Sequence, residues 1–278
     1  MTYREISARL SLAGIENAEW DARVLIEHTC GTDAVTYLID PDLDFEPSAL
    51  LLEAIDKRCA RYPLQYIVGV WDFYRQTYEV SPDCLIPRPD TERLVEEAIK
   101  RLPKQARFAD LCTGSGCIAV SVLAERPDAS AIAVDKFEKT LALATRNASR
   151  NGVASRFDPL CADVLLPDFL TAEQGSLDAI LCNPPYIRTD VLADLEPELD
   201  AEPRAALDGG DDGLIFYETL LKHATIYLKP SGFFLFEIGY DQGADLVEIG
   251  GRYGFDQIEV LRDYGGNDRV VYLSRALA

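Results

Sequence analysis

The sequence predicts an α/β fold, a mostly parallel sheet with helices on both faces, preceded by a small helical bundle. Three observations carry this. From Arg107 onward, short apolar runs alternate with stretches of helical periodicity, the pattern of a parallel sheet with crossover helices. Ahead of residue 63 the periodicity is helical, with few β-branched runs. The chain has 278 residues, 48% of them hydrophobic, which is enough for a sizeable core and argues against disorder.

The helical region comes first. Leu10, Leu12 and Ile15 follow helical spacing, as do Trp20, Val24, Leu25 and His28. Val35, Leu38 and Ile39 do the same, then Leu50, Leu51, Leu52, Ile55 and Cys59. Gly14, Gly31, Pro41 and Pro47 punctuate them, so residues 2–62 read as four short helices. Pro63 to Gly69 breaks the pattern, and 71–74 and 77–80 read as an aromatic-rich hairpin. Asp90 or Thr91 is expected to cap a helix whose apolar face is Leu94, Val95, Ala98, Ile99 and Leu102.

Seven strands are expected after that, at 108–112, 131–135, 157–161, 177–182, 233–238, 258–263 and 270–273. Helices are expected at 118–126, 138–151, 213–228 and 242–253. The last two strands lie close in sequence and read as an antiparallel edge. The expected division is a helical domain over 1–62, a structured linker with a hairpin over 63–90, and the α/β domain over 91–278.

Charge narrows the partners. The net charge is −20 and the pI about 4.4. Affinity for nucleic acid comes largely from Lys and Arg neutralising phosphates, and no Lys/Arg run occurs, so nucleic acid is a poor general partner. No run is apolar enough to span a bilayer, and the first residues carry Arg4, Glu5 and Arg9 in an amphipathic pattern unlike a signal peptide. A cytoplasmic monomer is expected. The seven cysteines form no C-x-x-C pair and read as small core residues. The only histidines, His28 and His223, are isolated, so no metal site is expected.

In an open parallel sheet, ligands bind beyond the C-terminal ends of the strands. Four candidate elements fall there. The turn Cys112-Thr113-Gly114-Ser115-Gly116 allows close backbone approach to a ligand and presents a helix N-terminus. Asp135, ending the second strand, can accept hydrogen bonds from both hydroxyls of a ribose, whether of NAD or of S-adenosylmethionine. Asp163 can accept from an adenine amino group, with Val164 packed on the ring. The fourth element is Asn183-Pro184-Pro185-Tyr186, a rigid turn in which neither proline has an N–H.

A planar amide or aryl nitrogen is a weak nucleophile because its lone pair is delocalised. Accepting hydrogen bonds from both of its N–H groups, through Asn183 Oδ1 and the Pro184 carbonyl, returns electron density to nitrogen and aims it at a methyl donor. A dehydrogenase has no use for this turn, whereas an amino-group methyltransferase has.

With these residues the chain resembles the seven-stranded Rossmann-like methyltransferases that depend on S-adenosylmethionine, and among them the release factor glutamine methyltransferases. Leu85-Ile86-Pro87-Arg88-Pro89-Asp90-Thr91-Glu92 is similar to that family's segment ahead of the glycine loop. Further similar segments are Pro63 to Gly69, Glu202 to Leu214, Glu237-Ile238-Gly239, and Gly266 to Val271. The resemblance implies methylation of the Gln amide in the Gly-Gly-Gln motif of peptide-chain release factors. It implies that Asn183 and Pro184 hold that amide and that Pro185 and Tyr186 shape its slot. Cys112 to Gly116, Asp135, Asp163, Val164 and Asn183 would bind the cofactor, and the N-terminal helices would dock the release factor.

Two departures stand out. Cys112 sits where many relatives have Gly; a Cys there is also familiar from a sister family that methylates a glutamine of a ribosomal protein. Val164 sits where a larger residue is common. A ribosomal-protein glutamine methyltransferase is the nearby alternative, and an adenine-N6 nucleic-acid methyltransferase a more distant one.

Overall fold

The computed structural model describes residues 1–31 and 35–276. Residues 32–34 of the expected helical domain, residues 277–278 of the expected α/β domain and the side chain of Leu38 lie outside the described residues. The chain forms two compact units, one of Met1–Val70 with Glu196–Glu202, the other of Trp71–Leu195 with Pro203–Ala278.

In the first unit, α1 (Tyr3–Leu12) starts at a reciprocal cap. The Thr2 hydroxyl accepts from the Glu5 N–H at 3.2 Å, and the Glu5 carboxylate accepts from the Thr2 N–H at 2.8 Å. α2 (Ala18–Cys30) ends at Gly31, whose φ of +65° suits glycine. α3 (Val35–Ile39) and α4 (Ala49–Cys59) follow, with Ser48 capping α4. Ile6, Leu10, Leu25, Ile26, Leu51 and Ile55 form the buried centre. These are the four expected helices. A fifth, α5 (Leu64–Val68), occupies a stretch that reads as a pattern break.

Segment Glu196–Glu202 joins this unit through charge. Glu198 accepts from Arg58 at 3.0 Å and from Arg61 at 2.8 Å, and buried Arg58 also pairs with buried Asp21 at 2.6 Å. Each buried charge is neutralised by a partner, without which it would carry a large desolvation cost.

The second unit opens with the hairpin β1 (Val70–Phe73) and β2 (Gln76–Glu79). Phe73 and Tyr78 are buried in its core, and the Tyr78 hydroxyl meets Ser121 Oγ at 2.7 Å. The remaining elements are α6 (Glu92–Arg101), β3 (Arg107–Leu111), α7 (Cys117–Glu125), β4 (Ser130–Asp135), α8 (Glu138–Arg150), β5 (Phe157–Cys161), β6 (Leu177–Cys182), α9 (Ile215–His223), β7 (Leu228–Glu237), α10 (Gly243–Arg252), β8 (Gln257–Arg262) and β9 (Asp268–Ser274). The sheet has seven strands in the order β5-β4-β3-β6-β7-β9-β8.

Side chains alternate across the sheet, and the burial follows. Phe108, Ala179, Leu181, Phe233 and Leu235 face one core with Leu94, Ile118, Val122 and Ala144 of α6, α7 and α8. Ala109, Ile180, Cys182, Phe234 and Phe236 face the other with Tyr217, Leu220, Leu246 and Ile249 of α9 and α10.

Several boundaries differ from expectation. Strand β3 stops at Leu111, because Cys112 turns out of the strand at a φ of +57°. The helix expected over 213–228 is shorter and gives way to a 3₁₀ turn at Ala224–Tyr227, so β7 starts at Leu228. β9 is antiparallel to both neighbours but lies between β7 and β8, leaving β8 alone at that edge. Pro159 sits in β5, the opposite edge strand, where a missing N–H leaves no ladder bond unmade. All seven cysteines are free, and Cys161 is exposed, contrary to its expected place in the core.

One polar residue ties the hairpin to the glycine turn. Asn147 on α8 is fully buried. Its Oδ1 accepts from the Glu79 N–H at 2.7 Å, and its Nδ2 donates to the carbonyls of Glu79 at 3.0 Å and Ser115 at 2.9 Å. Asn147→Ala is expected to destabilise the protein by about 2 kcal/mol, since it strands the buried Ser115 carbonyl and two half-buried backbone groups of Glu79. Thermal and urea unfolding of the variant measure this.

Candidate active site

The strand order reverses direction between β3 and β6, the switch point beside which ligands sit in open α/β sheets. Leu111 pairs with Cys182 in parallel register, so the glycine turn and Asn183 leave neighbouring strands side by side. A cavity of ≈ 480 Å³ opens there.

Cys112, Thr113, Gly114, Ser115, Asp135, Asp163, Val164, Asn183 and Pro185 all line it. Gly116 lies behind the wall: it has a φ of +81°, and a Cβ there would come within 3.1 Å of Ala144 Cβ, so its role is to seat α8. Cys112 holds a left-handed backbone that costs a non-glycine residue about 1–2 kcal/mol, which accounts for the glycine expected at this place.

The acidic side chains are prepared by local bonds. Asp135 Oδ2 accepts from the Gly114 N–H at 3.0 Å and Oδ1 from the Phe137 N–H at 3.1 Å. Each carboxylate oxygen has a second lone pair, so both can still accept a hydroxyl. Burial pushes the Asp135 pKa up, opposed by these N–H groups. Burial also acts on Asp163, but the Lys136 ammonium at 2.9 Å and the Leu165 N–H prevail and hold its carboxyl below the ordinary range. Ser115 Oγ is buried without a partner in the cavity wall. A neighbouring pair of acceptors, an open polar atom and the apolar Val164 fit a ligand with ribose and adenine parts.

Beneath the turn, Asp110 is fully buried. Its Oδ2 accepts from Thr113 Oγ1 at 2.7 Å and from the Ala119 N–H at 3.1 Å, and its Oδ1 has no partner. Burial pushes its pKa up to about 7. An acid whose native pKa lies above its ordinary 3.8 binds more protons folded than unfolded, so this group favours the fold at low pH and the contribution fades as pH rises through about 7. Asp110→Asn is therefore expected to stabilise the protein at pH 8, with the gain shrinking toward pH 5. Urea unfolding at the two pH values measures the difference.

On the other wall, Asn183 Nδ2 donates to Thr91 Oγ1 at 3.2 Å, and Asn183 faces the cavity. Pro184 and Tyr186 do not line the cavity; Pro184 is buried and the Tyr186 ring packs against the core on the α9–α10 face. Burial, with Glu237 nearby, pushes the Tyr186 hydroxyl well above its ordinary pKa. The backbone of the turn is clamped by the following loop. The Ile187 N–H donates to the Leu207 carbonyl at 3.0 Å, and the Gly209 N–H donates to the Ile187 carbonyl at 2.8 Å. Gln242 Nε2 donates to the Tyr186 carbonyl at 3.2 Å.

Two residues of this site, Thr91 and Glu237, were not expected there from the sequence. Thr91, expected as a possible helix cap, makes no cap bond; its hydroxyl turns to Asn183 instead. Asp90 does not cap α6 either, and its carboxylate pairs with Arg269 at 3.4 Å. Glu237 ends β7 and is 1% exposed, with Oε2 unpartnered. Burial raises its pKa to about 7, opposed by Thr91, Arg269 and Asn183. Its position at a strand end, in the quoted Glu237-Ile238-Gly239, is the signal that could have marked it.

Comparisons with known proteins bear on the family and the fold. Residues 2–69 match the PrmC N-terminal domain, and residues 90–210 match the methyltransferase small domain. The release factor glutamine methyltransferase of Nitratidesulfovibrio vulgaris is 38% identical over 99% of this chain and 94% of its own. That of Cereibacter sphaeroides is 42% identical over 95% and 93%. A solved transferase structure from Pyrococcus horikoshii, 16% identical, superposes with a TM-score of 0.50 over 74% of this chain and 72% of its own, which speaks for the fold. Matched along nearly its whole length, the chain belongs to the release factor glutamine methyltransferase family, whose members take their methyl group from S-adenosylmethionine.

Proposed function

We propose that this chain methylates the side-chain amide nitrogen, N5, of the glutamine in the Gly-Gly-Gln motif of peptide-chain release factors. The observation that carries the reading is the state of Asn183. Its N–H side is taken by Thr91, which leaves Oδ1 as a free acceptor beside a cavity suited to a nucleoside-bearing cofactor. Bound there, S-adenosylmethionine supplies an electrophilic methyl on sulfur.

The chain's own part is positional. Asp135 accepts from ribose hydroxyls, Asp163 from the adenine amino group, and Val164 packs on the ring. Asn183 Oδ1 accepts one N–H of the substrate amide, and the Pro184 carbonyl accepts the other once substrate enters. Pro185 forms the wall of the slot, and Tyr186 sets the turn from behind. The amide is held in line for transfer, which removes much of the entropic barrier. No strong base is required, because the proton leaves nitrogen after the methyl arrives.

The helical unit serves as the docking module, and exposed Leu12 and Trp20 support that reading. The net charge of −20 favours a protein partner over nucleic acid. The protein acts as a cytoplasmic monomer. No helix among the described residues is long and apolar enough to cross a membrane. Labelled S-adenosylmethionine incubated with purified release factor, ribosomal proteins and duplex DNA in parallel tests the assignment. Label is expected in release factor alone; label in DNA or ribosomal protein with none in release factor would overturn it.

A further inference from the structure

We propose that Glu237 and Thr91 are positioning residues that fix the Asn183 amide with its oxygen toward the cavity. This rests on the reading of Asn183 given above. Cys182 pairs with Phe236 in parallel register, so Asn183 and Glu237 emerge from adjacent strands side by side. Cys182 and Phe236 face the α9–α10 core, and side-chain alternation therefore turns both next residues to the α6 face. Thr91, 2% exposed and at the entrance of α6, lies there between them.

The donor count then decides the direction of the chain. A hydroxyl has one proton to give. With the Glu237 carboxylate hydrogen-bonded to it, Thr91 gives that proton to Glu237 and can only accept from Asn183, as the 3.2 Å contact from Nδ2 records, and Glu237 also accepts from the Asn183 amide itself. A flipped Asn183 amide would bring its oxygen to a hydroxyl with no proton left, and would point N–H groups at the N–H groups of a substrate amide. Glu237 thereby excludes the unproductive flip. An ordinary structural carboxylate would be paired, and Arg269 is the nearby cation. Arg269 instead binds Asp263 at 3.2 Å, Asp90 at 3.4 Å and the Ile238 carbonyl at 3.2 Å, and Glu237 Oε2 stays unpartnered.

The test is steady-state kinetics at pH 8 on the full chain with release factor as substrate, alongside calorimetric binding of S-adenosylmethionine. Thr91→Val keeps the shape and loses the hydroxyl; Glu237→Leu loses the acceptor. Each is expected to lower kcat by about 10- to 100-fold, with cofactor affinity within about threefold of wild type. The double variant is expected to lose less than the product of the two single losses, because Thr91 and Glu237 both hold the one Asn183 amide. Glu237→Gln keeps an acceptor oxygen and is expected to restore kcat to within about threefold. Wild-type kcat in Thr91→Val or in a cofactor-binding Glu237→Leu would overturn the proposal, as would losses that multiply in the double variant. Full activity of Asn183→Ala in the same assay would instead remove the reading on which it rests.

Discussion

Asn183→Ala is expected to lower kcat by about 10³-fold and to leave the dissociation constant for S-adenosylmethionine within about tenfold of wild type. The size follows from what is lost. In the proposed mechanism Asn183 Oδ1 accepts a hydrogen bond that strengthens as positive charge develops on the substrate nitrogen. A preorganised partner aimed at developing charge in a low-dielectric site contributes about 3–4 kcal/mol. The proposed cofactor partners Asp135 and Asp163 take their local bonds from Gly114, Phe137, Leu165 and Lys136 and none from Asn183, so the variant is expected to keep them in place. Single-turnover transfer at saturating cofactor and calorimetric binding separate the two effects. A loss of cofactor binding as large as the loss of rate would show Asn183 to be a binding residue instead.

Gly209→Ala is expected to produce the second large effect, at a residue that does not line the cavity. A Cβ at position 209 would stand 2.8 Å from Tyr186 Cα and 2.9 Å from the Pro185 carbonyl oxygen, and both are backbone atoms with no rotamer to yield. The loop must lift, and it carries the bond from the Gly209 N–H to the Ile187 carbonyl. Overpacking of this kind costs about 1–3 kcal/mol. A displacement near 1 Å in a positioning group costs about 10²-fold in rate. Gly251→Ala is the control, since a Cβ there meets nothing within 4 Å. Gly209→Ala with wild-type kcat would mean that the loop does not hold the turn.

The fold class, the strands of the sheet and the glycine turn were legible because each is a local signal. Runs such as Leu177–Cys182 are buried at every position and apolar at all but Asp178, which suits a strand covered on both faces. What the sequence hid was set at long range. Periodicity marks strands but not their order: the last two form the expected antiparallel edge, but nothing local shows that the later one, β9, lies inside β8. Thr91 ahead of a helical run reads as a cap; only the arrival of Asn183, ninety-two positions later, draws its hydroxyl away. Glu237 reads like any polar residue after a strand until the register places it beside Asn183. Segment Glu196–Glu202 carries no mark of joining the helical unit, because the cations that bind it are Arg58 and Arg61, far back in the chain. Cys112 was noticed for its identity, and its φ of +57° supplies the reason.

The most direct test of the account is to map the transferred methyl group. Release factor is incubated with this protein and isotopically labelled S-adenosylmethionine, digested, and the modified peptide is sequenced by mass spectrometry. The account predicts one label, on the side-chain nitrogen of the glutamine in Gly-Gly-Gln, absent when Asn183→Ala replaces the wild-type enzyme. A label on any other residue or atom, or an unchanged label with Asn183→Ala, would contradict it.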